Sequence, residues 1–246
     1  MRRTRASRAL MLAIVAVAAL VTPSPAGAEW FTDLYLGLSI TSKADVDFAA
    51  TTPATFIPKT FNDVTYENSV LWGARGGYWF GGKDVVGVSE ALGDYAQYVG
   101  AALDLSYFRP RIPSQTVVTN VGTRRLGFMD LWITTLTPEL MIRFPVLRDE
   151  DYPQGRVQPY IAGGPTLYIA KLTDSAGNFG PRGDSSTTAG LGITIGPGLA
   201  FQISEQFFAF GEVRFLHAGP SFGFKGGDTD VPLNSHQILF GVSYRF

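Results

Sequence analysis

The feature that most constrains this chain is a two-residue alternation of apolar with small or polar side chains, which recurs in eight segments. Side chains on a β-strand point alternately to its two faces, so this period indicates strands rather than helices. The last segment is the clearest, and its apolar or aromatic positions are Ile238, Phe240, Val242, Tyr244 and Phe246. The other segments lie at residues 34–40, 70–80, 99–107, 136–144, 161–169, 189–203 and 207–215. The alternation predicts an all-β protein.

The second face of these strands favours a membrane barrel over a soluble sandwich, whose outer face would be rich in charged side chains. Here that face is mostly glycine, alanine and serine, and charged residues make up only 17% of the chain. The apolar faces have no charge, as contact with lipid requires, because Arg or Lys at mid-bilayer costs about 2–4 kcal/mol. Backbone groups in lipid must all be paired, so a spanning sheet has to close. We therefore predict an eight-stranded antiparallel up-and-down transmembrane β-barrel.

An even number of strands puts both chain ends on one side of the membrane, which we expect to be the periplasm. The outer connections are then residues 41–68, 109–125, 172–186 and 218–234, and the inner ones are 81–97, 145–156 and 204–206. In the long first inner connection, residues 85–95 are expected to form a short helix or to extend the neighbouring strands. Within the predicted strands, Pro138, Pro165 and Pro197 are expected to mark bulges or misplaced strand ends.

Aromatic residues cluster near the predicted strand ends, which indicates belts at the two membrane interfaces. Near the inner ends these residues are Trp30, Tyr78, Phe80, Phe144, Phe207, Tyr244 and Phe246, and near the outer ends they are Tyr107, Trp132 and Phe215.

The first 28 residues have the pattern of an export signal. Four arginines precede an apolar stretch at residues 10–21, and Ala26-Gly27-Ala28 is a small-x-small cleavage site. We expect residues 1–28 to be a signal peptide and residues 29–246 to be the barrel domain. Cleavage would remove four of 20 basic residues and none of the 21 acidic ones, and the acidic remainder argues against nucleic-acid binding. The chain has no cysteine, so disulfides do not stabilise it.

Several short motifs resemble the small outer-membrane β-barrel proteins of Gram-negative bacteria, with OmpA-like, OmpX-like and opacity-type members. The motifs lie at residues 34–37, 103–110, 136–138, 143–145, 158–160, 212–215 and 241–246, and the resemblance covers essentially all of residues 29–246. It implies the outer membrane as location, and outer-membrane lipid, lipopolysaccharide and the assembly machinery as partners. It also implies that Phe246, with Phe240, Val242 and Tyr244, is an assembly signal; the alternative is an ordinary last strand.

The charges on the second face are predicted to form a polar network in the lumen. Side chains just fill the interior of an eight-stranded barrel, and buried charges must be paired to be tolerated. We expect the four arginines on this face to pair among its four acids; the residues are Arg75, Arg143, Arg214, Arg245, Asp33, Asp104, Glu139 and Glu212. The alternative is a narrow gated pore.

A catalytic site is not expected. Outer-membrane lipid A deacylases of similar architecture keep a His-x-Ser pair in a late strand, whereas the chain reads His217-Ala218-Gly219 and the next serine is Ser221. Nucleophilic catalysis needs the serine beside its base. His236 is expected to be a strand-edge residue.

Two loop motifs remain as alternatives. Arg182-Gly183-Asp184 in the third outer connection is a tripeptide that can contact integrins, and it also arises by chance in glycine-rich loops. Asp45 and Asp47 lack the further oxygen ligands of a calcium site. No cofactor, metal or nucleotide motif is found. We expect a non-enzymatic barrel with a structural or surface-interaction role through its outer loops and an unidentified ligand. The alternatives are a pore for small solutes and a lipid A-modifying enzyme.

Overall fold

The computed structural model describes residues 29–50, 59–80, 93–148 and 155–246. The expected signal peptide, residues 1–28, lies outside the described residues. So do residues 85–92 of the segment that was expected to form a short helix or to extend the neighbouring strands. The described end of that connection is a 3₁₀ helix, Gly93–Tyr98. Strands are numbered β1 to β14 along the chain, and they form two sheets.

Eight strands close into an antiparallel barrel in which strands consecutive around the wall are also consecutive along the chain. They are β1 (Glu29–Thr41), β4 (Ser69–Trp79), β5 (Val99–Phe108), β8 (Met129–Arg143), β9 (Val157–Asp174), β10 (Asp184–Gln202), β11 (Phe207–Ala218) and β14 (Leu233–Arg245). Strand β1 pairs with both β4 and β14, which closes the wall. The predicted up-and-down barrel is confirmed, and each predicted segment overlaps one barrel strand. Among the described residues, no helix is long and apolar enough to cross a membrane.

The alternation in the sequence corresponds to the two faces of the barrel wall. Leu34, Leu191 and Phe240 point outward and are 65%, 76% and 69% exposed. Inward-facing residues such as Asp104 and Thr166 are fully buried. The apolar face therefore coats the outside of the barrel, and the small and polar face fills the lumen.

Three of the four outer connections, expected as loops, instead contain strands that form a second sheet. These strands are β2 (Ala44–Ala50), β3 (Lys59–Val64), β6 (Gln115–Thr119), β7 (Gly122–Leu126), β12 (Ser221–Phe224) and β13 (Gly227–Asp230). They pair in the order β12-β13-β2-β3-β6-β7. We call this the upper sheet, and the end of the barrel that holds Glu29 and Arg245 the lower end.

An apolar core joins the upper sheet to the barrel. Its side chains come from the sheet strands and from the upper inner wall of the barrel, and they include Val46, Phe61, Val117, Phe222, Leu71, Phe108, Leu131 and Ile133. The remaining outer connection contributes Phe179, whose ring lies 5.0 Å from that of Phe48 and 5.8 Å from those of Phe61 and Phe224. Burial in this core raises the pKa of Tyr66. The upper region is thus packed like the interior of a soluble protein.

The expectation that the three prolines mark bulges or strand ends is wrong. Pro138, Pro165 and Pro197 lie within continuous strands, and their side chains point outward. The register of β8 with β9 is the same on both sides of Pro138, and that of β10 with β11 is the same on both sides of Pro197. Because each ring lies on the open outer face, the loss of a donor interrupts the ladder without shifting the register.

Candidate functional site in the barrel lumen

The centre of the lumen contains a buried ion-pair network around Arg75 of β4. Its guanidinium donates to Asp33 at 2.8 Å, to Glu139 at 3.2 Å and to Glu212 at 3.0 Å. Glu139 is on β8 and Glu212 on β11, neither of which neighbours β4 in the wall. One arginine therefore links distant parts of the barrel through the lumen.

A second arginine, Arg214 of β11, completes this network. It pairs with Glu212 at 2.8 Å and with Asp104 at 3.2 Å, and the side chains in these pairs are at most 2% exposed. Asp104 is on β5, which lies opposite β11 in the barrel order. The Arg214–Asp104 pair consequently spans the full width of the lumen.

Two tyrosine hydroxyls donate to the carboxylates of the network. Tyr35 donates to Asp104 at 2.8 Å and Tyr160 donates to Glu212 at 2.7 Å. Each tyrosine lies over a glycine of a neighbouring strand, and a Cβ added at Gly73 or Gly198 would overlap the ring of Tyr35 or Tyr160 respectively. Glycine on the lumen face thus provides the space that these tyrosines occupy.

The structure differs from the expected pairing at the lower end of the lumen. Arg143 and Arg245 were expected to pair among the four lumen acids, but their ion-pair partner is Glu29, at 3.1 Å and 3.2 Å respectively. Glu29 is the first residue of β1, and it has the same parity as Asp33 and therefore faces inward. Sequence reasoning missed it because the alternation was followed back only to Asp33; extending it by four residues would have found Glu29.

Ring faces and a cavity accompany this lower cluster. The guanidinium carbon of Arg143 lies 4.5 Å from the Trp79 ring centroid, and that of Arg245 lies 3.5 Å from the Phe208 centroid. These are cation–π distances. Asp33 and Arg245 both line a cavity of about 20 Å³ between the lower cluster and the central network. That volume is enough for about one water molecule.

Hydroxyl side chains fill the lumen above the network. Thr166 hydrogen-bonds to Thr137 at 2.9 Å and to Thr194 at 2.6 Å, which links three adjacent strands. Ser39 bonds to Ser235, also at 2.6 Å. The filling of the lumen therefore changes from charged to hydroxyl to apolar towards the upper sheet.

The other candidate residues lie apart from the lumen network. His217 Nδ1 lies 2.6 Å from Asn234 Oδ1, and Ser221 is on β12 of the upper sheet. The His236 ring packs edge-on against Phe215 at 4.8 Å on the outer face of the barrel. In the described part of the chain, no group of three or more His, Cys, Asp or Glu residues is arranged to hold a metal ion.

The loop motifs are engaged in contacts within the chain. An oxygen of Asp184 accepts from the Lys225 backbone N–H at 3.3 Å, and Arg182 Nε donates to the Ala176 carbonyl. Asp45 accepts from the backbone N–H of Asp63, and Asp47 accepts from Thr60. These bonds join neighbouring outer segments.

Three of the proposed assembly-signal residues lie on the outer face of β14, and the fourth, Phe246, follows its last residue. Phe240 and Val242 are exposed, and the Tyr244 ring packs edge-on against Phe246 at 4.9 Å. The Phe246 backbone N–H donates to the Trp30 carbonyl on β1, so the chain end is held against the first strand.

Comparison with known families assigns this architecture. The model of the outer membrane protein beta-barrel domain family matches residues 10–246. The chain belongs to this family. The predicted outer-membrane location of the barrel follows from that membership. A comparison with curated protein sequences finds no match.

Solved structures of other members of this fold class are similar to the chain. The outer membrane protein OprG from Pseudomonas aeruginosa has a TM-score of 0.56 at 14% identity, over 90% of this chain and 96% of that one. Neisserial surface protein A has a TM-score of 0.47 at 11% identity, over 90% and 98%. The attachment invasion locus protein of Yersinia pestis has a TM-score of 0.38 at 13% identity, over 90% and 99%. At 14% identity the likeness to OprG shows a shared fold alone.

Proposed function

We propose that this outer-membrane barrel is closed and non-enzymatic, and that it holds the upper sheet outside the cell, where the sheet contacts a surface ligand. The observation that supports closure is the Arg214–Asp104 pair, which joins opposite walls of the lumen. Arg75 adds three further acidic contacts in the same part of the lumen. Conduction would require water or ions to pass this cross-section, and breaking buried pairs of this kind is strongly unfavourable.

Solute flux tests the closed lumen against the pore alternative. Proteoliposomes that contain the purified barrel and a trapped small dye should retain the dye as long as protein-free liposomes do. Release that scales with the amount of barrel and falls with increasing solute size would support the pore instead.

The proposed orientation puts the lower end in the periplasm and the upper sheet outside. Exposed arginines at both ends make this testable with trypsin. Arg124 and Arg182 belong to the upper region, whereas Arg148 and Arg156 lie at the lower end. Trypsin added to intact cells should cut only at upper sites. Cleavage at Arg148 or Arg156 would show that the lower end faces outside and would contradict the proposed orientation.

The part of the upper sheet best suited to contact a ligand is the edge strand β7. In the described residues it pairs only with β6, and its side chains Thr123, Arg124 and Arg125 are exposed. An edge strand offers unpaired backbone groups to another chain. Adhesion of expressing cells to a host-cell monolayer should fall in R124E/R125E and persist in the control K43E/K225E, which changes two exposed cations elsewhere in the upper region. Adhesion no greater than that of cells without the protein would leave only the structural role.

The absence of catalysis is part of the proposal. His217 bonds to an asparagine, and Ser221 pairs through β12 with Asp230 of β13. Mass spectrometry of lipid A from cells with and without the protein should show the same acyl chains. Loss of an acyl chain that depends on His217 would establish the enzyme alternative.

We also propose that the end of β14 is read by the outer-membrane assembly machinery. The support is the resemblance together with the outward, aromatic face of Phe240, Tyr244 and Phe246. Deletion of Phe246 should lower the amount of folded barrel in the outer membrane, while the same variant still folds from urea into detergent. Normal assembly in cells would contradict this role.

A further inference from the structure

Two buried polar atoms in the lumen have no hydrogen-bond partner in the described part of the chain. They are Oδ1 of Asp33, a residue that is 3% exposed, and Nε of Arg245, a residue that is 7% exposed. The neighbouring polar atoms of both side chains are engaged. Asp33 Oδ2 accepts from Arg75 at 2.8 Å. The terminal nitrogens of Arg245 donate to Glu29 at 3.2 Å and to Gln158 at 2.8 Å. A buried polar atom without a partner is unfavourable, because it has lost its hydrogen bonds to water.

Both atoms belong to side chains that line the same cavity, the one of about 20 Å³ that lies between the lower cluster and the central network. Asp33 is on β1 and Arg245 is on the neighbouring strand β14, and both face the lumen. In the register of these strands Asp33 is opposite Ser243, two residues before Arg245, and Ser243 also lines the cavity. The two side chains therefore approach one space from adjacent strands, although each has its ion pair with a different residue.

The two atoms require opposite hydrogen-bond partners. Asp33 Oδ1 belongs to a carboxylate and can only accept, whereas Arg245 Nε carries a hydrogen and can only donate. A cation would satisfy the carboxylate and repel the guanidinium, and an anion would do the reverse. A water molecule satisfies both atoms, because it donates with its hydrogens and accepts with its oxygen.

The cavity also has the size and the polar lining of a water site. Its volume is enough for about one water molecule, which needs about two to four polar partners. Asp33, Arg245 and the hydroxyl of Ser243 supply three such partners. A larger solute does not fit this volume, so the ligand chemistry that matches the site is that of water itself.

We propose that this cavity binds one water molecule, the bridging water, which accepts from Arg245 Nε and donates to Asp33 Oδ1 and to the Ser243 hydroxyl. It joins the lower cluster, through Arg245, to the central network, through Asp33. A continuous chain of hydrogen bonds then runs across the lumen from Glu29 to Asp104. The bridging water is independent of the proposed closure, because the ion pair that spans the lumen forms with or without it.

A crystal structure of the purified protein, at a resolution that shows ordered water, tests this proposal. One crystal is grown in sodium chloride and a second in rubidium bromide, whose two ions are identified by their anomalous scattering. Both crystals should show a peak of electron density at hydrogen-bond distance, about 2.7–3.2 Å, from Asp33 Oδ1 and Arg245 Nε. The peak should have no anomalous signal in the rubidium bromide crystal.

Three results would overturn the proposal. An anomalous signal in the cavity would show that the site binds an ion, and the absence of density would show that the cavity is dry. A direct hydrogen bond between Asp33 and Arg245 would leave no pair of atoms for a water molecule to bridge.

Two alanine variants check that the peak belongs to this cavity. Ala200 lines the cavity, and in Ala200→Val the added methyl groups should displace the water, so that the peak is lost. Ala170 is also buried but belongs to the apolar core and does not line the cavity, so Ala170→Val is the matched control and should keep the peak. A peak that persists in Ala200→Val, or that is lost in Ala170→Val, would contradict the proposed site.

Discussion

The lower lumen and the upper region of this protein differ in which side chains lie inside and which lie outside. In the lower lumen, arginines and carboxylates fill the inside together with rings such as Trp79 and Phe208, and apolar side chains cover the outside. In the upper region the inside is an apolar core and the outside is polar. The surroundings explain the difference, because the lower wall faces lipid whereas the upper sheet faces water.

A single strand shows both solutions. In the lower part of β8, Leu140 and Ile142 point outward and Glu139 points inward. In the upper part of the same strand, Leu131 and Ile133 point inward and Asp130 points outward. The apolar face therefore changes sides near Leu136, at the level where the wall leaves the apolar band.

The largest effect should come from breaking the polar interior. Arg75→Met leaves Asp33, Glu139 and Glu212 buried without their shared cation, which should cost about 3–5 kcal/mol of unfolding free energy. Urea unfolding in lipid vesicles measures this. Arg124→Met on the exposed edge strand is the control and should stay within about 0.5 kcal/mol of wild type. Equal loss in both variants would show that the network does not stabilise the barrel.

Breaking the apolar interior should act only locally. Phe179→Ala removes the ring that packs on Phe48, Phe61 and Phe224, and should destabilise the upper sheet by about 3 kcal/mol. Tryptic cleavage at Arg124 and Arg125 should accelerate, while the gel mobility of the folded barrel stays unchanged. Unfolding of the whole barrel by this variant would mean that the two interiors are one cooperative unit.

Alanine substitutions at two glycines compare the crowded lumen face of the wall with its open outer face. Gly198→Ala puts a methyl group into the Tyr160 ring and should cost about 1–3 kcal/mol through overpacking. Gly76→Ala is the control, because a Cβ there meets nothing within 4 Å. The urea concentration at the midpoint of unfolding measures both effects. A lower midpoint for Gly76→Ala than for Gly198→Ala would contradict this explanation.

The smallest effect concerns a single hydroxyl. Tyr35→Phe removes the donor to Asp104 but leaves the Arg214 pair, so we expect a loss of about 1–2 kcal/mol. Tyr107→Phe on the outer face is the matched change, and its unfolding free energy should equal that of wild type. A loss in Tyr35→Phe as large as in Arg75→Met would show that the hydroxyls, rather than the arginines, hold the network.

The sequence was sufficient to predict the barrel because lipid imposes one rule on every spanning strand. The alternation located all eight strands, and the residues of its polar face are those that fill the lower lumen. The alternation predicted too short a strand for β8, because the predicted segment starts at residue 136 whereas the strand begins at Met129. In the upper part of β8 the apolar side chains point inward rather than outward, so the pattern expected for a lipid-facing strand does not apply there.

Long-range pairings could not be predicted in the same way. Strand order does not say which acid reaches which arginine across the lumen, so the partnership of Glu29 with Arg143 and Arg245 was missed. The upper sheet joins segments far apart in the chain, such as β13 with β2, and each is too short for its alternation to stand out. Phe179 likewise lies outside any strand, although it packs against three of them.

Single-channel recording in planar lipid bilayers tests most directly whether the polar lumen closes the barrel. The purified full-length protein should insert and give no stable conductance step, because Arg75 and Arg214 join the walls through the lumen. A uniform, long-lived conductance step from the wild-type protein would contradict the closed lumen.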